Sequence, residues 1–197
     1  MPHYFTNEPG RDEPCLVSFV IDGQEFTLQS NAGVFSKEKL DTGTRILLET
    51  VLSKQPAVKS VLDLGCGIGV VGVVLSHFWH CDVDAIDVSQ KACALAKENF
   101  EKYGVKAEVF CQDGISPEQG KYGAILLNPP IRTGKETIYR LFEQAYSHLE
   151  EQGNLWIVIR KQHGAESAMK YLKTLSPAVK RVSRDKGFWI LCVSKEQ

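Results

Sequence analysis

No two cysteines of this sequence stand in a C-x-x-C pair, and none of the six (Cys15, Cys66, Cys81, Cys93, Cys111, Cys192) has a histidine at zinc-finger spacing. That excludes a zinc module and a secreted disulfide framework, leaving reduced and mostly buried thiols as the expectation. Long apolar runs are missing too. The longest, from Val70 to Phe78, is interrupted by Gly72, Ser76 and His77, far short of the ~20 residues a spanning helix needs. The opening MPHYFTNEPGRDEP lacks the basic-then-apolar layout of a signal peptide, so a cytoplasmic protein with no membrane partner is expected. The five histidines (His3, His77, His80, His148, His163) form no metal-ligand or triad spacing, and no metal is expected. Internal repeats, low-complexity runs and long linkers are absent as well.

An excess of charge is also lacking, with 23 Lys and Arg against 24 Asp and Glu, which argues against a general nucleic-acid coat protein. The balance is uneven along the chain, however. Residues 154–197 hold nine Lys or Arg against three acids, a net of +6, leaving −7 for residues 1–153. Such asymmetry can steer a polyanion to one face, or can reflect solvated lysines on a surface helix.

What is present fits one ordinary globular domain: 197 residues, 43% apolar, 24% charged, with 16 Gly and 8 Pro. A chain of this size buries enough surface to fold without staples. Residues 16–21 and 24–29 read as two strands joined at Asp22-Gly23, a strong hairpin signal. Residues 1–40 are therefore expected as an extension packed on a main domain of residues 41–197. Asp41 or Thr42 can cap a helix carrying Ile46, Leu47, Thr50 and Val51 at helical spacing.

From Lys59 the pattern alternates. Strands are expected at 60–64, 83–86, 105–111, 122–127 and 155–159. Helices are expected at 69–78, from Ser89 to near Gly104, and at about 135–149 and 165–175. Residues 178–183 and 188–193 bracket Asp185-Lys-Gly187 as an antiparallel pair. This is an α/β chain with a mainly parallel sheet, helices on both faces and one antiparallel strand. Ligands of such sheets sit beyond the carboxyl ends of the strands, so functional residues are sought there.

Two stretches answer. The first, Val61-Leu-Asp-Leu-Gly-Cys-Gly-Ile-Gly69, is strand, tight turn and helix start. Its glycines permit positive φ and close approach of a ligand to the backbone. Gly67 to Gly72 also satisfies G-x-G-x-x-G, a weak dinucleotide signal on its own. Asp63 would repel a pyrophosphate and suits a cationic amine, although a turn-capping role competes. Asp87, ending the next strand, can accept both hydroxyls of a ribose. Cys66 reads as a small packing residue rather than a nucleophile.

The second stretch is Asn128-Pro-Pro-Ile131. Its prolines stiffen the end of a buried strand, leaving the Asn128 side chain and the Pro129 carbonyl as fixed acceptors. Two such acceptors can hold an exocyclic amine and stabilise the charge that grows on it during attack.

The glycine loop resembles that of class I S-adenosylmethionine-dependent methyltransferases, and Asn-Pro-Pro resembles their signature for methylation of amino groups. Together with Gly33-Val-Phe-Ser36, Leu40-Asp-Thr-Gly43 and Leu155-Trp-Ile-Val-Ile-Arg-Lys161, residues 30–193 resemble the "methyltransferase small domain" group, in particular bacterial 16S ribosomal RNA guanine-N2 methyltransferases. The resemblance implies a Rossmann-like class I methyltransferase fold with a seven-stranded, mainly parallel sheet, an antiparallel C-terminal strand and the N-terminal hairpin. It implies that Asp63, Gly65, Cys66, Gly67 and Gly69 hold the methionine part of S-adenosylmethionine. Asp87 and Val88 would meet the ribose and its surroundings, Asp113 and Gly114 the adenine, and Asn128 the reacting end. Asn128, Pro129, Pro130 and Ile131 would form the catalytic loop, with Ile131 where an aromatic residue usually stacks on the substrate.

Phe35, Asp41 and Gly43 are implied at the substrate mouth, Phe35 being equally readable as a core residue. Arg132 and Lys135 can grip phosphates beside a flipped-out base, or belong to a solvated loop. The activity so implied is methyl transfer to an exocyclic amine, most directly guanine N2 in ribosomal RNA, with ribosomal RNA or the small ribosomal subunit as partner. A glutamine (protein) or small-molecule N-methyltransferase remains an alternative, as does a non-catalytic RNA-binding protein on the same fold.

Overall fold

The computed structural model of the chain describes residues 13–32 and 39–196. Strands β1 (Pro14–Ile21) and β2 (Gln24–Asn31) pair antiparallel as a sheet of their own. Ile21 stands opposite Gln24, so the connection is only Asp22 and Gly23, at φ 47 and 79. Positive φ at both positions matches the right-handed twist of the flanking strands, as in a type I′ turn.

A second sheet contains β3 (Ser60–Leu64), β4 (Asp82–Asp87), β5 (Ala107–Cys111), β6 (Tyr122–Leu127), β7 (Leu149–Arg160), β8 (Val179–Asp185) and β9 (Phe188–Ser194), in the order β5-β4-β3-β6-β7-β9-β8. β9 runs antiparallel to both β7 and β8, and the remaining pairs are parallel. Five helices complete the fold: α1 (Thr42–Lys54), α2 (Val70–Trp79), α3 (Gln90–Lys102), α4 (Lys135–Ser147) and α5 (Ala165–Leu175). This is the expected seven-stranded α/β arrangement. Asp41, one of the two caps considered, is the one used, and its side chain accepts from the Thr44 N–H. One boundary differs appreciably. β7 starts at Leu149, opposite Tyr122, and shifts register before Asn154 pairs with Ala124, with Gln152 at φ 63. The extra stretch carries Glu150, Glu151 and Gln152, all exposed, so its hydrophobic pattern gives no strand signal.

Strand periodicity divides the core into two layers. Val61, Ala124, Leu126, Trp156, Val158 and Ile190 face α1, α2 and α3. Leu62, Leu64, Ile125, Leu127, Ile157 and Leu191 face α4 and α5. The inward residues of the hairpin, Val17, Phe19, Ile21, Phe26 and Leu28, join the first layer.

Asn99 of α3, fully buried, ties the hairpin to the glycine loop. Its Oδ1 accepts from the Gln29 N–H at 2.7 Å, while its Nδ2 donates to the Gln29 and Ile68 carbonyls, both at 2.9 Å. Tyr103 adds a second tie, its hydroxyl accepting from the Thr27 N–H at 2.7 Å. Asn99→Ala is expected to lower the unfolding free energy by about 2–3 kcal/mol, because buried backbone groups lose their partners. Urea denaturation checks this, and a loss below about 0.5 kcal/mol would mean that water replaces the amide.

Candidate active site

The strand order reverses between β3 and β6, since β4 and β5 extend the sheet one way and β7 onward the other. Beyond the carboxyl ends of such neighbours the connections diverge and leave a cleft. Here a cavity of about 490 Å³ occupies that position, lined among others by Asp41, Thr44, Asp63, Gly65, Cys66, Gly67, Val70, Leu126 and Asn128.

Asp63 is the unusual member. It lies within β3, on the face covered by α1 and α2, and is only 4% exposed. Its Oδ2 is buried with no hydrogen-bond partner. Desolvation by burial, reinforced by the nearby Asp87 charge and opposed by the Gly72 N–H, pushes its pKa up to about 7. An ionised carboxylate in this position lacks a compensating cation, and a buried charge without a partner is unfavourable.

The loop after β3 leaves room for a ligand. Gly65, Gly67 and Gly69 have φ of 80, 53 and 87. The Gly65 and Cys66 N–H groups both donate to the Ile86 carbonyl, at 2.8 and 2.9 Å. A Cβ built on Gly65 would meet nothing within 4 Å, whereas one on Gly69 would lie 3.0 Å from the Phe100 ring. Gly65 therefore borders open space and Gly69 serves close packing. Asp87 braces the loop: its Oδ2 accepts from the Gly67 N–H and its Oδ1 from the Ser89 N–H, both at 2.9 Å. Cys66 is buried, and burial raises its thiol pKa. It is thereby kept from acting as a nucleophile.

Asn128 follows β6 directly. Its Nδ2 donates to Asp41 Oδ2 at 3.1 Å and to Thr44 Oγ1 at 3.2 Å. With both amide protons engaged, Oδ1 remains the acceptor end of the side chain. The same Asp41 oxygen caps α1 by accepting from the Thr44 N–H at 2.9 Å and its hydroxyl at 3.2 Å. Thr44 does not stand out in the sequence, although its place three residues after the capping Asp41 is the spacing of such a contact.

The other expected residues divide. Gly43 is buried, and a Cβ there would lie 2.9 Å from Phe188 and 3.1 Å from Asp41 Oδ2, so it permits close packing behind the site. Asp113 Oδ1 accepts from Arg140 Nη2 at 2.8 Å, and Gly114 lies so close to Gln144 that a Cβ would collide. The Asp113–Gly114 turn is thus anchored on α4. Val88 is 40% exposed at the end of β4. Pro129 is buried and Pro130 exposed, while Ile131 is half-buried against the α4–α5 core layer. Arg132 and Lys135 are exposed on the loop leading into α4. None of Asp87, Val88, Asp113, Gly114, Pro129, Pro130, Ile131, Arg132 and Lys135 lines the cavity itself. Phe35 lies outside the described residues. Among the described residues no group of His, Cys, Asp or Glu is placed to hold a metal, and no helix is long and apolar enough to cross a membrane.

A parallel sheet with a glycine-lined cleft at its switch point and a buried acid facing that cleft defines the class I methyltransferase architecture. The chain belongs to the methyltransferase small domain family, whose model matches residues 25–192; S-adenosylmethionine is the methyl donor of this class. It is 36% identical over 199 residues to the uncharacterized protein YbxB of Bacillus subtilis, covering 98% of both chains. It is 38% identical over 140 residues to ribosomal RNA small subunit methyltransferase C of Haemophilus influenzae, covering 68% of this chain and 42% of the relative. Against the Colwellia psychrerythraea enzyme of the same name the identity is 33%, over 86% of this chain and 48% of the relative. The chain thus spans less than half the length of these methyltransferase C relatives. In fold it is similar to the T. thermophilus 16S rRNA N2 methyltransferase RsmC, solved with AdoMet and guanosine. The TM-score is 0.83 at 21% identity, over 93% of this chain and 51% of that one.

The residues present fit S-adenosylmethionine. The unpartnered Asp63 Oδ2 suits its ammonium group, and the open face of Gly65 leaves room beside it. A carboxyl whose folded pKa lies near 7, above the 3.8 of an exposed aspartate, stabilises the ligand-free fold fully below about pH 4. That contribution is lost as pH rises towards and past 7. Thermal denaturation of the ligand-free protein at pH 5 and pH 8 is expected to show a decline in wild type that Asp63→Asn escapes. Equal decline in both would place the responsible proton elsewhere.

Proposed function

We propose that this chain methylates an exocyclic amine, namely guanine N2 of small-subunit ribosomal RNA, using S-adenosylmethionine. The observation that carries the reading is the fixed orientation of Asn128. Asp41 and Thr44 consume its amide protons, so Oδ1 is presented as an acceptor beside a cavity that also contains the unpartnered Asp63. The curated relatives named ribosomal RNA small subunit methyltransferase C support the substrate class.

When bound, S-adenosylmethionine supplies a methyl group already activated on a sulfonium. Asp63 would take its ammonium group, the Gly65–Gly69 loop would hold its methionine part, and Asp87 would accept from its ribose. Val88 and the Asp113–Gly114 turn would hold its adenine. Asn128 Oδ1 and the Pro129 carbonyl accept the two N–H bonds of the substrate amine. This orients the nitrogen and stabilises the positive charge it gains. Pro130 stiffens the turn and Ile131 offers an apolar edge to the base. Asp41, with its Oδ2 committed to Thr44 and Asn128, acts on the substrate through Asn128.

Asn128→Ala is expected to lower the methylation rate on the order of 10²–10³-fold. Thr44→Val should lower kcat about tenfold while leaving S-adenosylhomocysteine affinity unchanged. Nucleoside mass spectrometry of small-subunit ribosomal RNA from a deletion strain and its parent tests the substrate. Loss of one N2-methylguanosine supports the reading, and identical nucleoside profiles contradict it.

A further inference from the structure

The excess of positive charge in the last quarter of the chain is not used by the site described so far. Part of it gathers in a second cleft of about 700 Å³, lined by Arg160, Lys161, Gln162, Glu166, Ser167 and Lys186. The cleft lies where β7 ends, between the segment leading into α5 and the β8–β9 turn. Its two walls are joined by the Lys161 N–H, which donates to the Gly187 carbonyl at 2.9 Å. Backbone is open on both walls, for a Cβ built on Gly164 or Gly187 would meet nothing within 4 Å.

Its charge is only partly balanced. Glu166 lies 3.8 Å from Lys161, whereas Arg160 and Lys186 have no carboxylate partner among the described residues. Arg160 is held in place all the same, with its guanidinium 4.4 Å above the centre of the Phe188 ring. Phe188 in turn abuts Gly43, next to Asp41 in the first turn of α1. A single ring thus joins Arg160 of the cleft to the start of α1, where Asp41 and Thr44 line the first cavity.

Position in the sheet supplies the direction. The cofactor-side residues follow β3, β4 and β5, Asn128 follows β6, and Arg160 follows β7, the next strand over. A substrate chain whose target is held at Asn128 meets this cleft on the side away from the methyl donor. Resting on the ribosomal RNA reading above, we propose that the Arg160–Lys186 cleft binds backbone phosphates of the RNA strand adjoining the target guanine. Phosphates suit it chemically, since a planar guanidinium and an ammonium both donate to phosphate oxygens, and such contacts place a strand without reading its sequence.

The test measures binding of an unmodified small-subunit ribosomal RNA transcript across a KCl series, for wild type, Arg160→Gln, Lys186→Asn and the double variant. Removing one cation from a phosphate should reduce the magnitude of the log Kd against log salt slope by about 0.7–0.9. The double variant is expected to bind roughly tenfold more weakly or worse. Its KM for RNA should rise, with kcat at saturation and S-adenosylhomocysteine affinity unchanged. Lys186→Asn guards against a folding artefact, since Lys186 sits on an exposed turn at φ 46 that Asn tolerates. Unchanged affinity and salt slope in variants of a wild type that binds and methylates the RNA would overturn the cleft assignment alone. A wild type that neither binds nor methylates it would overturn the RNA reading and the cleft with it.

Discussion

A buried carboxyl with one oxygen left unpartnered is the constraint around which this fold is organised. Asp63 occupies a position in β3 that alternation assigns to the core, beside Val61 on the same face. Folding alone gives its Oδ2 no donor, and the nearby Asp87 repels it. Such a group is stabilised by a cation placed beside it. On the proposed reading, stability and donor recognition are coupled through a single oxygen atom.

The surrounding elements hold that cleft open and in register. Asp87 fixes the glycine loop from β4, and Asn99 fixes the rear of the same loop at Ile68 while anchoring the hairpin. The start of α1 reaches across to the end of β6, where Asp41 and Thr44 orient Asn128. Gly43 permits this approach, because any side chain there would press on Phe188 and on the Asp41 carboxylate. A helix cap thus serves as the support of the Asn128 amide. Phe188 extends the same packing to Arg160, and so to the basic cleft beside β7.

What could be read from the sequence was local. The glycine loop, the two-residue hairpin turn and the Asn-Pro-Pro segment declare themselves within a few residues, because each encodes a backbone conformation. The alternation of strands and helices, and with it the sheet, follows from periodicity. The partners that decide what each side chain does are distant in sequence. Thr44 and Asn128 are 84 positions apart, and Asp113 and Arg140 are 27 apart. Asp113 could therefore be placed at a strand end from the sequence, but not seen to be anchored on α4. Asp41 was legible as a cap and as a mouth residue, but its hold on Asn128 required the fold. The acidic start of β7 escaped because Glu150, Glu151 and Gln152 face solvent and leave no apolar alternation.

A crystal structure of the chain with S-adenosylhomocysteine tests the central claim most directly. The account predicts the ligand amino group within about 3 Å of Asp63 Oδ2, or joined to it by one water, with Asn128 Oδ1 facing the sulfur side of the cavity. A ligand bound elsewhere, with Asp63 Oδ2 still unpartnered, would contradict it.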